Sequence, residues 1–361
     1  MLIEALNIKG FRNYKELSLR PSSGINIFYG DNAQGKTNLL EAVYVGCTSR
    51  SHKSVKDREL INFDFDEAHI RLDIKKRDVP YRIDTHIKKQ SSKGIAVNGM
   101  PLRRASELFG VANVIFFSPE DLSIIKNGPG ERRRFIDMEL CQLQRPYTFD
   151  LISYNKILSQ KNTLLKNFEQ INGVEDILNI YNEQLSDFGS RIITKRQEFI
   201  EDINNIVREV HRDISSGKEE LSLSYESSVK ASDMASELEK NKDREKRQRM
   251  SLIGPHRDDI SFMLNGVDLR HFGSQGQQRT AALSLKLSEI RLIESLVHDE
   301  PILLLDDVLS ELDRGRQNML LNSINGVQTF LTCTGLDDFI DNRFHIDKIF
   351  KVAFGEIKGE N

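Results

Sequence analysis

Apolar and polar residues alternate along much of the first hundred residues, which predicts short strands. The stretches AHIRLDIKK and YRIDTHIKK place apolar side chains at every second position, as half-buried antiparallel strands do. LIEALNIKGF and ELSLRPSSGINIFYG also predict strands, interrupted at Gly10 and at the turn-forming residues 21–24. GIAVNGMPL predicts a strand that leads into an Asn98-Gly99 turn. We therefore expect this part of the chain to be mainly sheet, around one helix.

The middle of the chain has the longer period of amphipathic helices. Between about 174 and 214 apolar residues recur at spacings of three, four and seven, namely at Tyr181, Leu185, Phe188, Ile192, Phe199, Ile203, Ile206 and Val210. An earlier helical run, 147–170, ends near Asn172-Gly173, so a helical hairpin is expected. We expect the stripe to pack within the chain, with a dimerising coiled coil as the alternative. The charged run KNKDREKRQRM, 240–250, predicts a solvated face.

Length and composition narrow the class of protein. With 361 residues the chain is long for one core, so two domains, or one domain with a large insertion, are expected. Its 39% hydrophobic and 29% charged residues are typical of a globular protein, and no run approaches the ~18 apolar residues of a membrane span. The first residues, MLIEALNIKGFRNYKEL, lack the pattern of a secretory signal. A cytoplasmic location without membrane association is the expectation.

The cysteines and the net charge exclude further classes. Cys47, Cys141 and Cys333 lie far apart, and none belongs to a C-x-x-C pair. A disulfide framework or a cysteine zinc site is therefore not expected. The formal net charge of −3 gives no overall positive field, so a nucleic-acid surface would have to be a local patch.

The segment INIFYGDNAQGKTNLLEAV carries the strongest candidate site. Its G-x-x-x-x-G-K-T pattern lies between a strand-like and a helical run. In such a loop backbone N–H groups wrap a triphosphate, the lysine neutralises phosphate oxygens and the hydroxyl binds Mg²⁺. We therefore predict ATP and Mg²⁺ as ligands, and we expect Lys36 to face solvent and phosphate, not the core. The predicted nucleotide-binding residues are Gly30, Asp31, Asn32, Ala33, Gln34, Gly35, Lys36 and Thr37.

A nucleotide site of this kind needs a second acidic element at a strand end, and PILLLDDVLSELD supplies one. Residues 302–305 form a continuous apolar run, typical of a strand buried on both faces. Asp306 at its end would hold Mg²⁺, directly or through water, and Asp307 could polarise the attacking water. Lys36, Asp306 and Asp307 are the predicted catalytic residues.

The stretch FGSQGQQR, 272–279, fits no regular secondary-structure pattern and precedes a helical run that we expect from Thr280. A polar, glycine-bearing loop that opens a helix can bind an anion, because free backbone N–H groups and the helix dipole point at it. Ser274 would contact a phosphate, or would cap the following helix, and the two roles are compatible.

The order of FGSQGQQR, a helix, the strand ending in Asp-Asp, and SELD resembles the signature, Walker B and D-loop of the ABC ATPase superfamily. The resemblance implies that Ser274, Gly276 and Gln277 contact the γ-phosphate of ATP held by a second subunit, and that Asp313 is the D-loop acid. The Walker A glycine Gly30 and Ser274 are 244 positions apart. That insert is longer than a transporter ATPase would have and shorter than the coils of a chromosome-structuring SMC protein.

Four stretches narrow the resemblance to the RecF family of bacterial recombination mediators. They are IKGFRNY, SPEDL with GPGERRRFID, GPHRDDI at 254–260, and GSQGQQR with LLLDDVLSELD, and together they span essentially the whole chain. The resemblance implies an SMC-like ATPase head with a helical second lobe that dimerises when ATP binds. It also implies an ATP-gated clamp on double-stranded DNA and on gapped or single-strand/double-strand junctions, with RecR and RecO as partners.

The implied role is to help load the strand-exchange recombinase at gaps, within DNA repair, DNA replication and the SOS response. Three departures from the ABC pattern imply slow hydrolysis rather than a loss of ATP binding. Asp307 stands where a longer glutamate is usual, and FFSPEDL offers no glutamine for a Q-loop. Thr332 and Thr334 lie where a switch histidine would follow the last strand.

Basic clusters are the candidates for DNA contact. Lysine and arginine side chains could bind phosphates without reading bases, and the candidates are Arg132, Arg133, Arg134, Arg50, Lys53 and Lys56. For each of them a solvated surface role is the alternative. Tryptophan is absent and aromatic residues are 7% of the chain, so a base-stacking platform for single strands is not indicated.

The predicted fold class is α/β, an ABC-type (SMC-like) ATPase head with an inserted α-helical lobe. We assign residues 1–120 to the N-terminal part of the head with Walker A, and 121–249 to a mainly helical lobe. Residues 250–361 form the C-terminal part of the head with the signature, Walker B and D-loop. Alternative functions are an ABC transporter-type ATPase subunit and a structural SMC-like dimer. A nuclease-coupled ATPase head is disfavoured because the sequence shows no second cluster of metal-binding side chains.

Overall fold

The computed structural model describes residues 1–53, 55–170, 173–335 and 346–360. It divides into two compact units. We call the unit formed by Met1–Asp121 and Leu285–Asn361 the head, and the unit formed by Leu122–Ser284 the lobe. The chain therefore returns to the head after Ser284, and not near residue 250 as the sequence suggested. Residues 250–284 belong to the lobe because their strands pair, and their side chains bond, within it.

Within the described residues the strands are β1 (Leu2–Phe11), β2 (Tyr14–Leu19), β3 (Ile25–Tyr29), β4 (Glu67–Lys76), β5 (Val79–Lys88), β6 (Gly94–Val97), β7 (Met100–Pro101), β8 (Val114–Phe117), β9 (Leu221–Glu226), β10 (Asp259–Leu264), β11 (Val267–Asp268), β12 (Ile302–Asp306), β13 (Thr329–Cys333), β14 (Lys348–Ala353) and β15 (Glu356–Glu360). The helices are α1 (Lys36–Thr48), α2 (Leu122–Lys126), α3 (Pro129–Leu143), α4 (Arg145–Lys166), α5 (Val174–Ile214), α6 (Met234–Gln248), α7 (Leu269–Phe272), α8 (Gln275–Val297) and α9 (Arg314–Ser323).

The head contains two six-stranded sheets. One is antiparallel, in the order β2-β1-β4-β5-β6-β7. The other, which we call the central sheet, has the order β15-β14-β3-β13-β12-β8 and is parallel except for β15. Because parallel strands end at the same edge, the segments that follow β3, β12, β13 and β8 are brought together there.

Helix α1 lies between the two sheets of the head. It contacts β1, β4 and β5 of one sheet and β8, β12 and β13 of the other. Consequently almost every residue of α1 is buried, including the polar Glu41 and Thr48. A helix covered on two sides has no polar face, and this explains why its sequence, KTNLLEAVYVGCT, lacks an amphipathic period.

The lobe is built on the long helix α5, which follows the predicted 174–214 boundaries. Most of its apolar stripe is buried inside the lobe, against α4, α6 and β9, whereas Tyr181, Phe188 and Ile206 are half-buried. Leu185, Ile192, Phe199, Ile203 and Val210 are each at most 4% exposed. The stripe therefore forms an intramolecular core, as expected. The preceding helix α4 ends at Lys166, before the Asn172-Gly173 end that we predicted, and Asn172 itself lies outside the described residues.

Several strand predictions are confirmed, with one correction. AHIRLDIKK and YRIDTHIKK form the antiparallel pair β4–β5, and Asn98-Gly99 joins β6 to β7 with positive φ at both residues. Gly10 does not interrupt β1 but lies inside it, at φ 64. A side chain there would approach the Glu67 carbonyl to 2.5 Å, so glycine is required by close packing rather than by a chain reversal.

The charged run 240–250 is only partly a solvated face. Most of it forms α6, and Glu245 on this helix is buried. Its carboxylate lies 2.6 Å from the Lys161 ammonium of α4, and both side chains are 1% exposed. A buried ion pair needs further hydrogen bonds to offset its desolvation, and the Ser251 hydroxyl and Leu252 N–H donate to the same carboxylate.

Within the part of the chain that the structure describes, no helix combines the length and the hydrophobicity needed to cross a membrane.

Candidate nucleotide site

The loop between β3 and α1 has the backbone shape of a phosphate-binding loop. The loop requires glycine at positions 30 and 35. A side chain at Gly30 would lie 2.3 Å from the Val352 carbonyl oxygen. At Gly35, φ is 115, and a side chain would meet the Asn13 amide at 2.5 Å. Between them Asp31, Asn32 and Ala33 are exposed at the crest of the loop. The loop thus presents backbone rather than side chains to a ligand.

Lys36 is not on the surface, contrary to our expectation. It is 7% exposed, and its ammonium donates to the carbonyls of Gly30 at 2.5 Å and Asp31 at 2.8 Å. The reason is local geometry: Lys36 is the first residue of α1, and the loop folds over its side chain. The ammonium group is thereby held inside the concave side of the loop, where a phosphate would need it.

The Thr37 hydroxyl and the Asp306 carboxylate, which we predicted to bind Mg²⁺, are in contact. The Thr37 hydroxyl donates to Asp306 Oδ1 at 2.9 Å across 269 positions of sequence. Thr332 of β13 donates to the same oxygen at 2.8 Å. The parallel register explains this meeting, since Asp306 pairs with Thr332 and β13 lies between β12 and β3. Thr37 and Asp306 supply the hard oxygen ligands that Mg²⁺ prefers, so these residues fit the ion.

Asp306 titrates differently from an exposed carboxyl. Burial raises its pKa, while hydrogen bonds from Thr332 and Thr37 and the charge of Lys53 partly offset that effect. Asp306 is 9% exposed. Lys53, which the sequence suggested as a DNA contact, is exposed and lies close enough to Asp306 to act on its pKa.

Asp307 and Asp313 follow the strand in different settings. Asp307 is half-buried at φ 53, and its N–H donates to the Thr332 hydroxyl at 2.9 Å. Asp313 caps α9 by accepting from the Arg316 N–H at 3.0 Å, and it pairs with the Arg316 guanidinium at 2.7 Å. Thr332 therefore contacts the Asp306 carboxylate and the Asp307 backbone N–H, whereas Thr334 is exposed.

The FFSPEDL segment follows β8 at the same edge of the central sheet. Phe117 pairs with Leu305, one residue before Asp306. The Ser118 N–H donates to the Asp121 carboxylate at 2.7 Å and turns the chain away from the strand. The side chain that forms this turn is therefore a carboxylate and not a glutamine amide.

The turn between β1 and β2 supports the loop, and sequence reasoning assigned it no role. The Tyr14 hydroxyl donates to the Gly35 carbonyl at 3.0 Å, and the Asn13 amide donates to the Gln34 carbonyl at 3.0 Å. Gln34 is also held by the β14–β15 turn, because the Phe354 N–H donates to its side chain at 2.8 Å. Asn13 and Tyr14 belong to the motif IKGFRNY, which supported the family resemblance but was given no role in the nucleotide site.

Arg12 in the same turn fixes the other side of α1. Its guanidinium makes two bonds to the Glu41 carboxylate, at 2.7 and 2.9 Å. The Ser51 hydroxyl donates to Glu41 at 2.5 Å and accepts from the Lys53 N–H at 3.0 Å. Burial would raise the pKa of Glu41, but the bonds from Arg12 and Ser51 outweigh it and lower the pKa. This network links α1 to the segment that carries Lys53.

The signature segment lies in the lobe, and the helix that it opens starts earlier in the sequence than we predicted. Helix α8 starts at Gln275, not at Thr280. The reason is a reciprocal cap: the Gln277 N–H donates to the Ser274 hydroxyl at 3.2 Å, and the Ser274 N–H donates to Gln277 Oε1 at 2.9 Å. Ser274 and Gly276 are exposed. The Ser274 hydroxyl accepts in this cap, so its own proton is available for an anion.

The basic DNA candidates are not equivalent. Arg132 is 2% exposed and binds Asp259 through two bonds, at 2.6 and 3.0 Å, so it cannot reach a phosphate and that prediction is wrong. It is buried because α3 packs against β10. Arg133 is half-buried with its guanidinium on the Asp258 carbonyl at 2.7 Å. The exposed candidates are Arg134, Arg50, Lys53 and Lys56.

One further group of metal-type side chains was not visible in the sequence. Glu67, His69 and His86 meet on the exposed face of β4 and β5, because the register pairs His69 with His86. The Glu67 carboxylate lies 3.3 Å from the His69 ring nitrogen and 2.9 Å from that of His86. Hydrogen bonds from the two imidazoles lower the pKa of Glu67.

Comparison with known sequences connects this site to a family. A family model described as an AAA domain matches residues 5–296. A protein of Lachnoclostridium phytofermentans named DNA replication and repair protein RecF is 54% identical over 358 residues, which cover 99% of both chains. A protein of the same name from Clostridium botulinum is 44% identical over 362 residues, again with 99% of both chains covered.

Solved structures extend the likeness to the fold. A structure described as the recombination mediator protein RecF-ATP in the RecFOR pathway superposes with a TM-score of 0.92 at 36% identity, covering 99% of this chain and 96% of that one. An Smc head bound to the C-terminal winged-helix domain of ScpA superposes with a TM-score of 0.58 at 16% identity, covering 100% and 98%. The predicted fold class, an α/β ABC-type head of the SMC kind with a helical insert, is confirmed.

Proposed function

The chain belongs to the RecF family of DNA replication and repair proteins, and we propose that it is an ATP-dependent mediator of recombinational repair in the cytoplasm. The observation that carries this proposal is the contact of Thr37 with Asp306 at the end of the central sheet. It joins the phosphate-binding loop to the acidic strand end and so completes the ligand set for one nucleotide. A transporter-type ATPase is not favoured, since the relatives at 54% and 44% identity are repair proteins over their full length.

Different residues of the head would bind the phosphates of ATP, hold Mg²⁺ and orient the Mg²⁺ ligand. Backbone N–H groups between Gly30 and Thr37 surround the phosphates, and the Lys36 ammonium moves from the loop carbonyls onto phosphate oxygens. Thr37 and Asp306 would hold Mg²⁺, which supplies positive charge against the phosphate oxygens. Thr332 keeps the Asp306 carboxylate oriented, because its hydroxyl donates to the oxygen that also accepts from Thr37.

Hydrolysis is expected to be slow. Asp307 is the candidate for orienting the attacking water, but its side chain is one methylene shorter than glutamate, and reach decides the efficiency of a general base before its pKa does. Thr332 stands where a histidine is usual, and a hydroxyl is a poorer partner for a phosphate. We therefore propose that ATP acts mainly as a switch. A phosphate-release assay that gave turnover of roughly hundreds per second, well above the median enzyme value of about 10 per second, would contradict this.

The lobe supplies a surface for a second copy of the chain. Ser274 and Gly276 are exposed at the start of α8, where the positive end of the helix dipole favours an anion. We propose that Ser274, Gly276 and Gln277 contact the third phosphate of ATP bound to the partner, in a two-fold dimer that contains two nucleotides. ADP, which lacks that phosphate, would not hold the pair together. Asp313, exposed at the D-loop, belongs to the same proposed interface.

DNA and protein partners complete the proposal. Exposed basic side chains at Arg50, Lys53, Lys56 and Arg134 would contact phosphates of duplex or gapped DNA without reading sequence. RecR, together with RecO, is the proposed protein partner, since solved relatives are placed in the RecFOR pathway. The dimer would act as a clamp near single-strand/double-strand junctions and help to load the recombinase at gaps.

One experiment tests this function directly. Light scattering after size exclusion should show a monomer without nucleotide, a dimer with ATP and Mg²⁺, and a monomer with ADP. The ATP-bound sample should then shift a gapped duplex more strongly than an intact one, with an affinity that falls steeply with salt and changes little with sequence. A monomer under all nucleotide conditions, or a strong preference for one duplex sequence at constant salt, would overturn it.

A further inference from the structure

Glu219 lies between α5 and β9 and contacts the signature from within the lobe. Its carboxylate accepts from the Gln277 side-chain amide at 2.9 Å. The side chain is 23% exposed, and the chain around it is fixed, since the Glu219 N–H donates to the Ser215 hydroxyl at 3.3 Å. No feature of the sequence singled out this residue.

The contact orients the amide of Gln277. A backbone N–H can only donate, so the oxygen of that amide must face Ser274, whose N–H it accepts at 2.9 Å. A carboxylate can only accept, so the amide nitrogen must face Glu219. Both partners are therefore satisfied by one orientation of the amide, and Glu219 fixes it. Through that amide, Glu219 holds the backbone of Ser274.

A second contact joins α5 itself to α8, two helical turns beyond Gln277. His211, in the last turn of α5, is fully buried, and its Nδ1 lies 2.9 Å from the Ser284 hydroxyl. The Nε2 of His211 lies 3.4 Å from the other oxygen of Glu219. Gln277 and Ser284 are seven positions apart, which puts them on one face of α8. Helix α5, through His211, and the segment that follows it, through Glu219, are thus both attached to the first turns of α8.

We propose that Glu219 is a positioning residue for the signature: it locks Gln277, and with it the Ser274 N-terminal cap, in the arrangement that binds the third phosphate of ATP in a second copy of the chain. This inference rests on the proposed trans contact of the signature. It adds that the signature is held by the segment that follows the long helix of the lobe, so that its affinity for the partner's nucleotide depends on a residue that itself touches no nucleotide.

The test uses the full-length chain and three variants. Glu219→Ala leaves the amide nitrogen of Gln277 without its acceptor, and the ATP-dependent dimer should dissociate at about tenfold higher concentration. Glu219→Gln keeps an oxygen that can accept from Gln277, and it should stay within about threefold of the natural chain. Glu220→Ala is the matched control, because Glu220 is the exposed neighbour, with the same charge. It should dimerise normally. ATP affinity, measured by calorimetry on dilute monomer, should be unchanged in all three.

The outcomes separate the inference from the function on which it rests. If Ser274→Arg still dimerises in ATP, the proposed trans contact fails, and this inference fails with it. If Ser274→Arg is monomeric while Glu219→Ala dimerises like the natural chain, only the inference is overturned. A lowered melting temperature of Glu219→Ala with an unchanged dimer dissociation constant would assign Glu219 a structural role and also overturn it.

A double-mutant cycle keeps the proposal testable if Glu219→Ala folds poorly. Gln277→Met removes the amide and should weaken the dimer at least as much as Glu219→Ala. Glu219→Met, which keeps the side-chain length but has no carboxylate, takes the place of Glu219→Ala in this cycle. The double variant Glu219→Met/Gln277→Met should then be no weaker than Gln277→Met alone, because Glu219 acts only through that amide. Additive losses would show that Glu219 acts by another route.

Discussion

The Walker loop in the head and the signature segment in the lobe differ in how completely their functional groups are satisfied. In the head, Lys36 and Asp306 are buried and bonded to their own chain at 2.5 to 2.9 Å. In the lobe, Ser274 and Gly276 are exposed, and among the described residues the Ser274 hydroxyl takes part only in a helix cap. The proposed ATP site is therefore assembled within one chain, whereas the signature keeps exposed groups that, in our proposal, meet the nucleotide of a second copy.

This difference carries an energetic consequence. A phosphate that enters the Walker loop must replace existing hydrogen bonds of Lys36, but the groups are already in place and little ordering is required. At the signature no bond is replaced, because the Ser274 hydroxyl keeps its cap and still has a proton to donate. Changes at the Walker loop should therefore affect nucleotide binding, and changes at the signature should affect assembly alone.

The largest expected effect comes from Lys36→Met, which tests the head side of the comparison. It keeps the apolar stem and removes the ammonium, so ATP affinity measured by calorimetry should fall by about 100-fold or more. The dimer should be lost as a consequence. Lys56→Met, at an exposed position, is the control and should bind ATP normally. ATP affinity within a few-fold of the natural chain in Lys36→Met would remove this lysine from the site.

Ser274→Arg should show the opposite behaviour. The bulk and charge of arginine would prevent a close approach of the partner's nucleotide, so the ATP-induced dimer should weaken at least about 30-fold. The affinity of the monomer for ATP should stay near normal. Ser274→Asn distinguishes the two roles of the serine, because asparagine caps a helix as well as serine does. Light scattering that shows a full ATP dimer for Ser274→Arg would rule out a signature role for Ser274.

Much of the head could be predicted from local sequence, and the lobe could not. Strand pattern and loop composition located the phosphate-binding loop and Asp306, because both depend on neighbouring residues and a regular period. The meeting of Thr37 with Asp306 was predicted from chemistry, and the register of parallel strands then produced it. Within the lobe, the signature segment, the helical run of α4 and the α5 stripe were visible, the last because apolar residues that keep a helical period over about forty positions are typical of one long amphipathic helix.

Contacts between distant segments were what the sequence did not show. Arg132 was taken for a surface arginine because its neighbours are charged, but Asp259, 127 positions later, pairs with it. Glu245 sits in a run of charges and is buried against Lys161. The β1–β2 turn supports the loop through Asn13 and Tyr14, which carry no charge and no motif spacing. Such pairings are set by the fold and leave no periodic signal.

Asp306→Asn tests the head through its stability, because this buried carboxylate should destabilise the protein without ligands. Burial raises the folded-state pKa of Asp306 above its unfolded value, so the protonated acid stabilises the fold at low pH, and this stabilisation is lost as pH rises through the folded pKa. At neutral pH the ionised carboxylate is therefore a cost to the protein without ligands, and asparagine removes it. Asparagine keeps an oxygen that can accept from Thr37 and Thr332.

The variant should therefore melt about 2 °C higher at pH 7 for each ~1 kcal/mol gained, with the difference shrinking toward pH 4, while Mg²⁺-dependent ATP binding weakens. Asp313→Asn is the control: the position is exposed, and asparagine keeps the helix cap, so its melting temperature should not change. A lower melting temperature for Asp306→Asn at pH 7 would contradict the burial argument.

The smallest effect should come from Asn13→Ala, which tests whether the head loop is ready for ATP because its neighbours hold it. Asn13 donates to the Gln34 carbonyl at 3.0 Å and accepts from Asn38 at 2.8 Å, so alanine removes two hydrogen bonds of the loop without touching a phosphate ligand. A net loss of about 1 kcal/mol in loop order corresponds to roughly fivefold weaker ATP binding. Asn322→Ala on the exposed side of α9 is the matched control and should bind ATP as the natural chain does.

Once ATP saturates Asn13→Ala, the dimer of this variant should form normally, because the lobe is unchanged. If Asn13→Ala bound ATP normally but dimerised poorly at saturation, the separation of nucleotide binding in the head from assembly through the lobe would be wrong.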